Sequence, residues 1–141
     1  MATFQTITTD KKQYLPLLLL ADPCEAMIDR YLEAGDMHVL SIGDAPVCVA
    51  VVTPYSDTAC ELKNLATDPQ FQKQGYATRL METLFKFFLD ICQCLCFCHI
   101  CGNTQTLIFC QRSVIRLLRI RLQDQIHAGY GESAVLLAGC T

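Results

Sequence analysis

The sequence predicts an α/β fold, and three observations carry that expectation. Segments that alternate between apolar and polar residues are interleaved with segments of helical period. Gly43-Asp44-Ala45-Pro46 separates two apolar stretches in the manner of an antiparallel hairpin. A strand, a glycine-bearing loop and a long amphipathic helix then follow one another between residues 59 and 88. The chain has 141 residues, 52% of them hydrophobic and 18% charged, which is enough apolar material to fill one core in a single domain spanning 1–141. Eleven basic against fourteen acidic side chains, a formal charge of −3, offer no broad basic surface, so nucleic acid is not an expected partner. The opening residues, MATFQTITTDKKQ, lack the basic-then-apolar order of a secretory signal. The apolar run from Leu15 to Leu20 falls well short of the roughly 20 residues of a membrane helix. A soluble, cytoplasmic domain with no membrane partner is therefore expected.

In chain order, Thr3 to Thr8 alternates like a first strand, and Thr9 to Gln13 is a polar connection. Tyr14 to Ala21 reads as a short apolar helix that tolerates Pro16 in its first turn. Asp22-Pro23-Cys24-Glu25 offers a capping aspartate, a proline in the first helical position and a glutamate three residues after the cap. Cys24, Met27, Ile28, Tyr31 and Leu32 then share one helical face, and Gly35 supplies the stop. Met37 to Ile42 and Val47 to Thr53 are the hairpin strands, the second apolar on both faces as in the middle of a covered sheet. Ala59 to Ala66 is a further strand, and Thr67 to Phe71 a polar connection. Ala77, Leu80, Met81, Leu84, Phe85 and Phe88 line one face of the next helix, with Arg79, Glu82, Thr83 and Lys86 outward. Beyond Asp90 the pattern suggests a strand over Ile91–Cys101, a short helix over Gln105–Arg112, and strands over Val114–Leu122 and Ser133–Ala138.

Composition changes at about residue 91. Residues 1–90 hold three of the ten cysteines with seven basic and twelve acidic side chains, whereas residues 91–141 hold seven cysteines, four arginines and two acids. A shifted reading frame would also produce such a break. Without a secretory signal the cysteines are not read as a disulfide framework. Cys92, Cys94, Cys96 and Cys98 alternate, so on a strand they share a face. Free thiols behave as small hydrophobes, and burial accounts for them. Four thiols along a flat strand would span about 20 Å, too far for one soft metal ion, so no metal is expected.

The chemistry concentrates in Gln72-Lys73-Gln74-Gly75-Tyr76-Ala77, between a strand and the best helix of the chain. The first amides of a helix have no intrahelical acceptor, and its dipole favours an anion there. Gly75 permits close approach, Ala77 keeps the helix start small, and Lys73 adds a positive charge. A phosphate or pyrophosphate suits this arrangement. No Gly-Lys-Ser/Thr follows, and two glycines of the dinucleotide fingerprint are missing.

The loop resembles the Gln/Arg-x-x-Gly-x-Gly/Ala motif of the GNAT acetyltransferase superfamily, and the wider string from Glu61 to Phe85, ELKNLATDPQFQKQGYATRLMETLF, is similar to that family's core throughout. The order of elements over residues 1–90 fits as well. The resemblance implies a mixed, mostly antiparallel sheet flanked by helices on both faces and splayed at an acetyl-CoA site. Backbone groups of Leu65, Ala66 and Thr67 would hold pantetheine and the acetyl carbonyl. Amides of Gln72, Lys73, Gln74, Gly75, Tyr76 and Ala77, with Thr78 just inside the helix, would hold the pyrophosphate, and Asn103 would contact the cofactor.

The implied reaction is attack of a primary amine, of a small molecule or a protein, on the thioester of acetyl-CoA. An amine with a pKa near about 10 is mostly protonated at neutral pH, so a general base is needed. By resemblance Glu61 is the first candidate. Its competing reading is an ion pair with a neighbouring lysine. The tyrosine that usually serves the leaving thiolate is replaced in register by Cys110, which becomes the candidate acid, with Tyr130 a remote substitute and His127 a candidate for lining the acceptor pocket. Two alternatives accompany this reading: a CoA-binding module without turnover, and a thiol-rich soft-metal protein. The apolar C-terminal part could favour pairing of two copies as a homodimer.

Overall fold

The structure is a computed structural model, and it describes residues 1–57, 59–88 and 94–97. Five strands form one sheet: β1 (Ala2–Ile7), β2 (Asp36–Ile42), β3 (Ala45–Ser56), β4 (Ala59–Thr67) and β5 (Cys94–Phe97), in that spatial order. The first four pair antiparallel, and β5 pairs parallel to β4. Helices α1 (Leu15–Ala21) and α2 (Glu25–Leu32) cover one face, and α3 (Tyr76–Phe88) covers the other. This is the mixed, mostly antiparallel sheet between helices that the sequence predicts. The expected strand Ile91–Cys101 is described only at Cys94–Phe97; the helix Gln105–Arg112 and the strands Val114–Leu122 and Ser133–Ala138 lie outside the described residues.

Each face of the sheet has its own core. Leu40, Ala50, Val52, Leu62 and Leu65 pack with Leu80, Met81, Leu84 and Phe85 of α3. Met37, Val39, Val49, Val51 and Ala66 pack with Leu17, Leu18, Ile28 and Leu32 of α1 and α2. Full burial of each such aliphatic side chain contributes roughly 1.5–3 kcal/mol. The hairpin between β2 and β3 turns at Gly43, whose φ of 58° lies in the region that glycine enters freely.

Simple alternation fails at β-bulges. Leu40 faces Cys48 and Ser41 faces Pro46, so Val47 is an extra residue, and Val47 and Cys48 both face α3. Val51 faces Asn64 and Val52 faces Leu62, so Lys63 is extra in β4. Leu62 and Leu65, three residues apart, consequently pack on the same side. A third irregularity, between Pro54 and Ser56, lets β3 run past the proline that its expected end at Thr53 precedes.

The start of α2 departs from the expected cap. Its N-cap is Cys24, and Asp22 lies outside the helix: its Oδ1 accepts from the Cys24 amide at 3.1 Å, while its Oδ2 accepts from the Tyr31 hydroxyl at 3.4 Å. Asp22 therefore closes the α1–α2 turn, and Pro23 belongs to that turn too. The end of α2 is held by a residue that local reading overlooks. Lys11, in a 3₁₀ turn over Lys11–Tyr14, is buried and donates from Nζ to the carbonyls of Leu32, Glu33 and Gly35 at 3.0, 3.0 and 2.7 Å. An ammonium suits these acceptors, which also carry the negative end of the helix dipole. Gly35 is required by space: a Cβ there would stand 2.6 Å from Val51 Cγ1 and 2.8 Å from the Tyr31 carbonyl.

Two buried polar side chains join the layers. Asn64 donates from Nδ2 to the Leu18 carbonyl and to the Tyr31 hydroxyl, both at 3.0 Å. A carbonyl can only accept, so the amide orientation is set by Leu18. The chain Asn64–Tyr31–Asp22 thus ties β4 to α2 and to the α1–α2 turn. His38 stacks on Phe4 at 5.5 Å, meets the edge of Phe87 at 5.8 Å and shares a 3.1 Å hydrogen bond between Nδ1 and Thr6 Oγ1. Cys24 and Cys48 are free thiols, whereas Cys60 is disulfide-bonded, which departs from the expectation that the cysteines form no disulfides. Burial pushes the Cys48 thiol up to about 11 despite its contact with Thr67.

Replacing Asn64 by leucine leaves the Leu18 carbonyl and the Tyr31 hydroxyl without this donor, and is expected to cost about 1–3 kcal/mol in urea unfolding. Burial holds the His38 imidazole below its ordinary value of 6.5, with Asp36 acting weakly the other way. The unfolded chain then takes up the proton first, so this part of the stability is full above pH 6.5 and declines below it until the folded imidazole is also protonated. Denaturation measured on either side of that pH should show the decline, and His38→Gln should flatten it.

Candidate functional site

The candidate site is built by the second half of β4 and the loop that leads into α3. Pairing with β5 covers Ala59 to Leu62 and ends there among the described residues. Asn64 to Thr67 remain paired to β3 on one side, while the other edge of the strand carries no parallel neighbour among the described residues. The bulge at Lys63 lies at this transition, and bulges bend and twist the strand that carries them. Leu65 and Ala66 bury their side chains, so what they offer a ligand is backbone. The carbonyl of Thr67 already accepts from Gln72 Nε2 at 3.1 Å, and its hydroxyl lies 3.2 Å from Cys48 Sγ.

The loop is held by its own polar groups. Asp68 receives the Gln70 amide on its side chain at 2.8 Å, its carbonyl receives the Phe71 amide at 2.8 Å, and its own amide reaches the carbonyl of Val47, the bulge residue of β3. Gln74 Nε2 donates to the Gln70 carbonyl at 3.0 Å. Phe71 and Tyr76 meet edge to face at 6.1 Å, half-buried at the foot of the loop. With both glutamines folded onto the chain, the turn into the helix is made by two residues in the left-handed region, Lys73 at φ 61° and Gly75 at φ 85°. The glycine is the less strained of the two; Lys73 is not a residue that sequence reading places there.

Gly75 also begins the helix ladder, since its carbonyl accepts from the Arg79 amide at 3.0 Å. The amides of Tyr76, Ala77 and Thr78 precede that bond and have no acceptor inside the helix. Gln72 to Gly75 are exposed, and a Cβ built on Gly75 would meet nothing within 4 Å. An exposed loop leading into the first amides of a thirteen-residue helix, at the positive end of its dipole, suits the phosphates of a nucleotide-bearing ligand.

Glu61 stands just before the bulge. Its Oε2 lies 2.6 Å from Lys63 Nζ, and the two side chains are 17% and 24% exposed. The carboxylate is thus part of the lysine pair that was its competing reading. Asn103, Cys110, His127 and Tyr130 lie outside the described residues, as do the cysteines at 92 and 98. Among the described residues no group of three or more metal-ligating side chains comes together, and no helix is long and apolar enough to cross a membrane. The bulge, the left-handed Lys73 and the link from Asp68 to Val47 are features of this site that no local sequence signal announces.

Comparison with known proteins gives a consistent answer. Over 65 residues the chain is 35% identical to YvbK, an uncharacterized N-acetyltransferase of Bacillus subtilis (strain 168), covering 46% of this chain and 42% of that protein. It is similar in structure to a GNAT family acetyltransferase from Elizabethkingia anophelis with acetyl-CoA bound, at 28% identity over 63% of this chain and 58% of the other, with a TM-score of 0.60. A Bacillus subtilis acetyltransferase in complex with CoA matches at 26% identity over 64% and 59%, with a TM-score of 0.59. The chain thus covers less than two thirds of the length of each of these relatives. A family model described as an acetyltransferase (GNAT) domain matches residues 33–113, which contain both sides of the candidate site and run past the change of composition at about 91. The chain belongs to the GNAT acetyltransferase family.

Proposed function

We propose that the protein transfers the acetyl group of acetyl-CoA to a primary amine of a small molecule or a protein, as a cytoplasmic N-acetyltransferase. The observation that carries this reading is the combination of a strand edge, Asn64 to Thr67, that carries no parallel neighbour among the described residues, with an exposed loop of left-handed turns at the N-terminus of α3. One feature suits the extended arm of CoA and the other its pyrophosphate. Two relatives with bound acetyl-CoA or CoA support the same ligand.

In this reading Leu65, Ala66 and Thr67 present backbone groups to pantetheine, and the Gln72–Ala77 amides, with Thr78, hold pyrophosphate. Acetyl-CoA supplies an acetyl group activated as a thioester. Glu61 takes the proton that the acceptor amine must lose, and to do so it exchanges its contact with Lys63 for one with the acceptor. Cys110 keeps the role of acid toward the leaving thiolate, and Asn103 that of a cofactor contact.

Calorimetric titration with acetyl-CoA tests the cradle directly. The wild type is expected to bind, and Gly75→Glu to lose affinity by about tenfold or more, which is ~1.4 kcal/mol. The new side chain would place a carboxylate against the phosphates on a backbone that disfavours it at φ 85°. A thermal melt of the variant separates lost binding from lost folding. A folded wild type that does not bind acetyl-CoA would refute the reading.

A further inference from the structure

Lys63 holds an unusual position for a lysine. It is the extra residue of β4 against β3, one residue beyond the last pair with β5 among the described residues. Two residues later comes Leu65, where the edge proposed to take the acetyl-bearing arm begins. An extended strand advances about 3.3 Å per residue, so the two α-carbons are roughly 7 Å apart along the strand, within reach of a lysine's four-carbon arm. Its Nζ lies 2.6 Å from the Glu61 carboxylate, the group assigned to take a proton from the acceptor. A primary amine of the chain itself therefore stands beside the proposed base and two residues before the proposed acetyl-CoA contacts. The pair is mostly shielded, with Lys63 24% exposed and Glu61 17%, so solvent does not explain the placement.

We propose that Lys63 is itself an acceptor and that the protein acetylates its own Lys63 Nζ, an inference that rests on the acetyl-CoA reading above. The step balances without any change of oxidation state. Nζ gives up a proton to Glu61 and its lone pair attacks the carbonyl carbon of the acetyl thioester. The N–C bond forms and the C–S bond breaks. CoA leaves as thiolate and takes up a proton, so the products are N-acetyl-lysine and CoA. The acetylated side chain is neutral, so its ion pair with Glu61 ends. The modification thereby converts a site in which the base is held by an internal amine into one in which it faces the acceptor side.

The experiment incubates the purified 141-residue protein with acetyl-CoA and follows acetylation of individual lysines by peptide mass spectrometry, alongside calorimetric binding. Wild type, Glu61→Gln, Gly75→Glu and Lys63→Arg are compared. Lys12, 46% exposed, reports uncatalysed acetylation by solvent access. In the wild type Lys63 is expected to be acetylated ahead of Lys12. Glu61→Gln should still bind acetyl-CoA but acetylate Lys63 about 100-fold more slowly, and Gly75→Glu should lose both binding and selective acetylation. In Lys63→Arg no other lysine should take over that rate. Binding by the wild type with Lys63 unmodified, or Lys63 acetylated equally fast in Glu61→Gln, would overturn the proposal while leaving acetyl-CoA binding intact. No binding by the folded wild type would overturn the acetyl-CoA reading and this inference with it.

Discussion

The arrangement depends on one strand whose two edges are used differently. β4 is laddered to β3 on either side of the Lys63 bulge, and among the described residues its ladder to β5 covers Ala59 to Leu62. Backbone amides and carbonyls are strong hydrogen-bonding groups, and a strand edge that lacks a neighbour is a place for something else to pair. The bulge at Lys63 follows the last described pair with β5, and an extra residue on one strand bends it and sharpens its twist. Both core faces are served by the same irregularity: Leu62 and Leu65 turn to α3, and Asn64 and Ala66 turn to α1 and α2.

A few buried polar groups specify how the layers sit on one another. Apolar packing against either face of the sheet is largely non-directional. Asn64, Tyr31, Asp22 and the Leu18 carbonyl add direction, since each bond demands a particular placement of α1 and α2 over β4. Lys11 does the same for the end of α2, reaching across from before α1 to three carbonyls at once. On the other face the loop after β4 is tied through Asp68 to the bulge of β3, which joins the turn before α3 to the centre of the sheet. The two halves of the candidate site therefore share a rigid base.

What could be read from the sequence follows from how local each signal is. The amphipathic α3, the hairpin at Gly43 and the glycine before the helix are written within a few neighbouring residues, and all three are found where expected. Asp22 misled because a carboxylate that accepts the amide two residues on closes a turn, while a cap accepts at the helix start; the same residue spacing serves both. The bulges at Val47 and Lys63 were not legible, since neither residue is a glycine and the extra length shows only against the partner strand. Lys11 read as part of a polar connection because its partners are more than twenty residues away. Of the candidate site, the loop and its glycine before the helix were legible through their motif. The left-handed Lys73 was not, because nothing in a lysine announces that backbone. The positions of Asn103 and Cys110 rest on sequence alone.

A bulge also has a meaning for the history of a strand. Removing a residue from the middle of a regular β-strand inverts every side chain on one side of the cut, and the core is lost. At Lys63 the arithmetic is different. Without it, Asn64 would still face Val51, Leu62 would still face Val52, and alternation would place both on the faces they occupy now. Lineages can therefore add or drop a residue here without disturbing the apolar pattern on either side. What such a change would alter is the bend of the strand and the charge beside Glu61, so this is a point where length variation can change the strand's surface while the scaffold stays as it is.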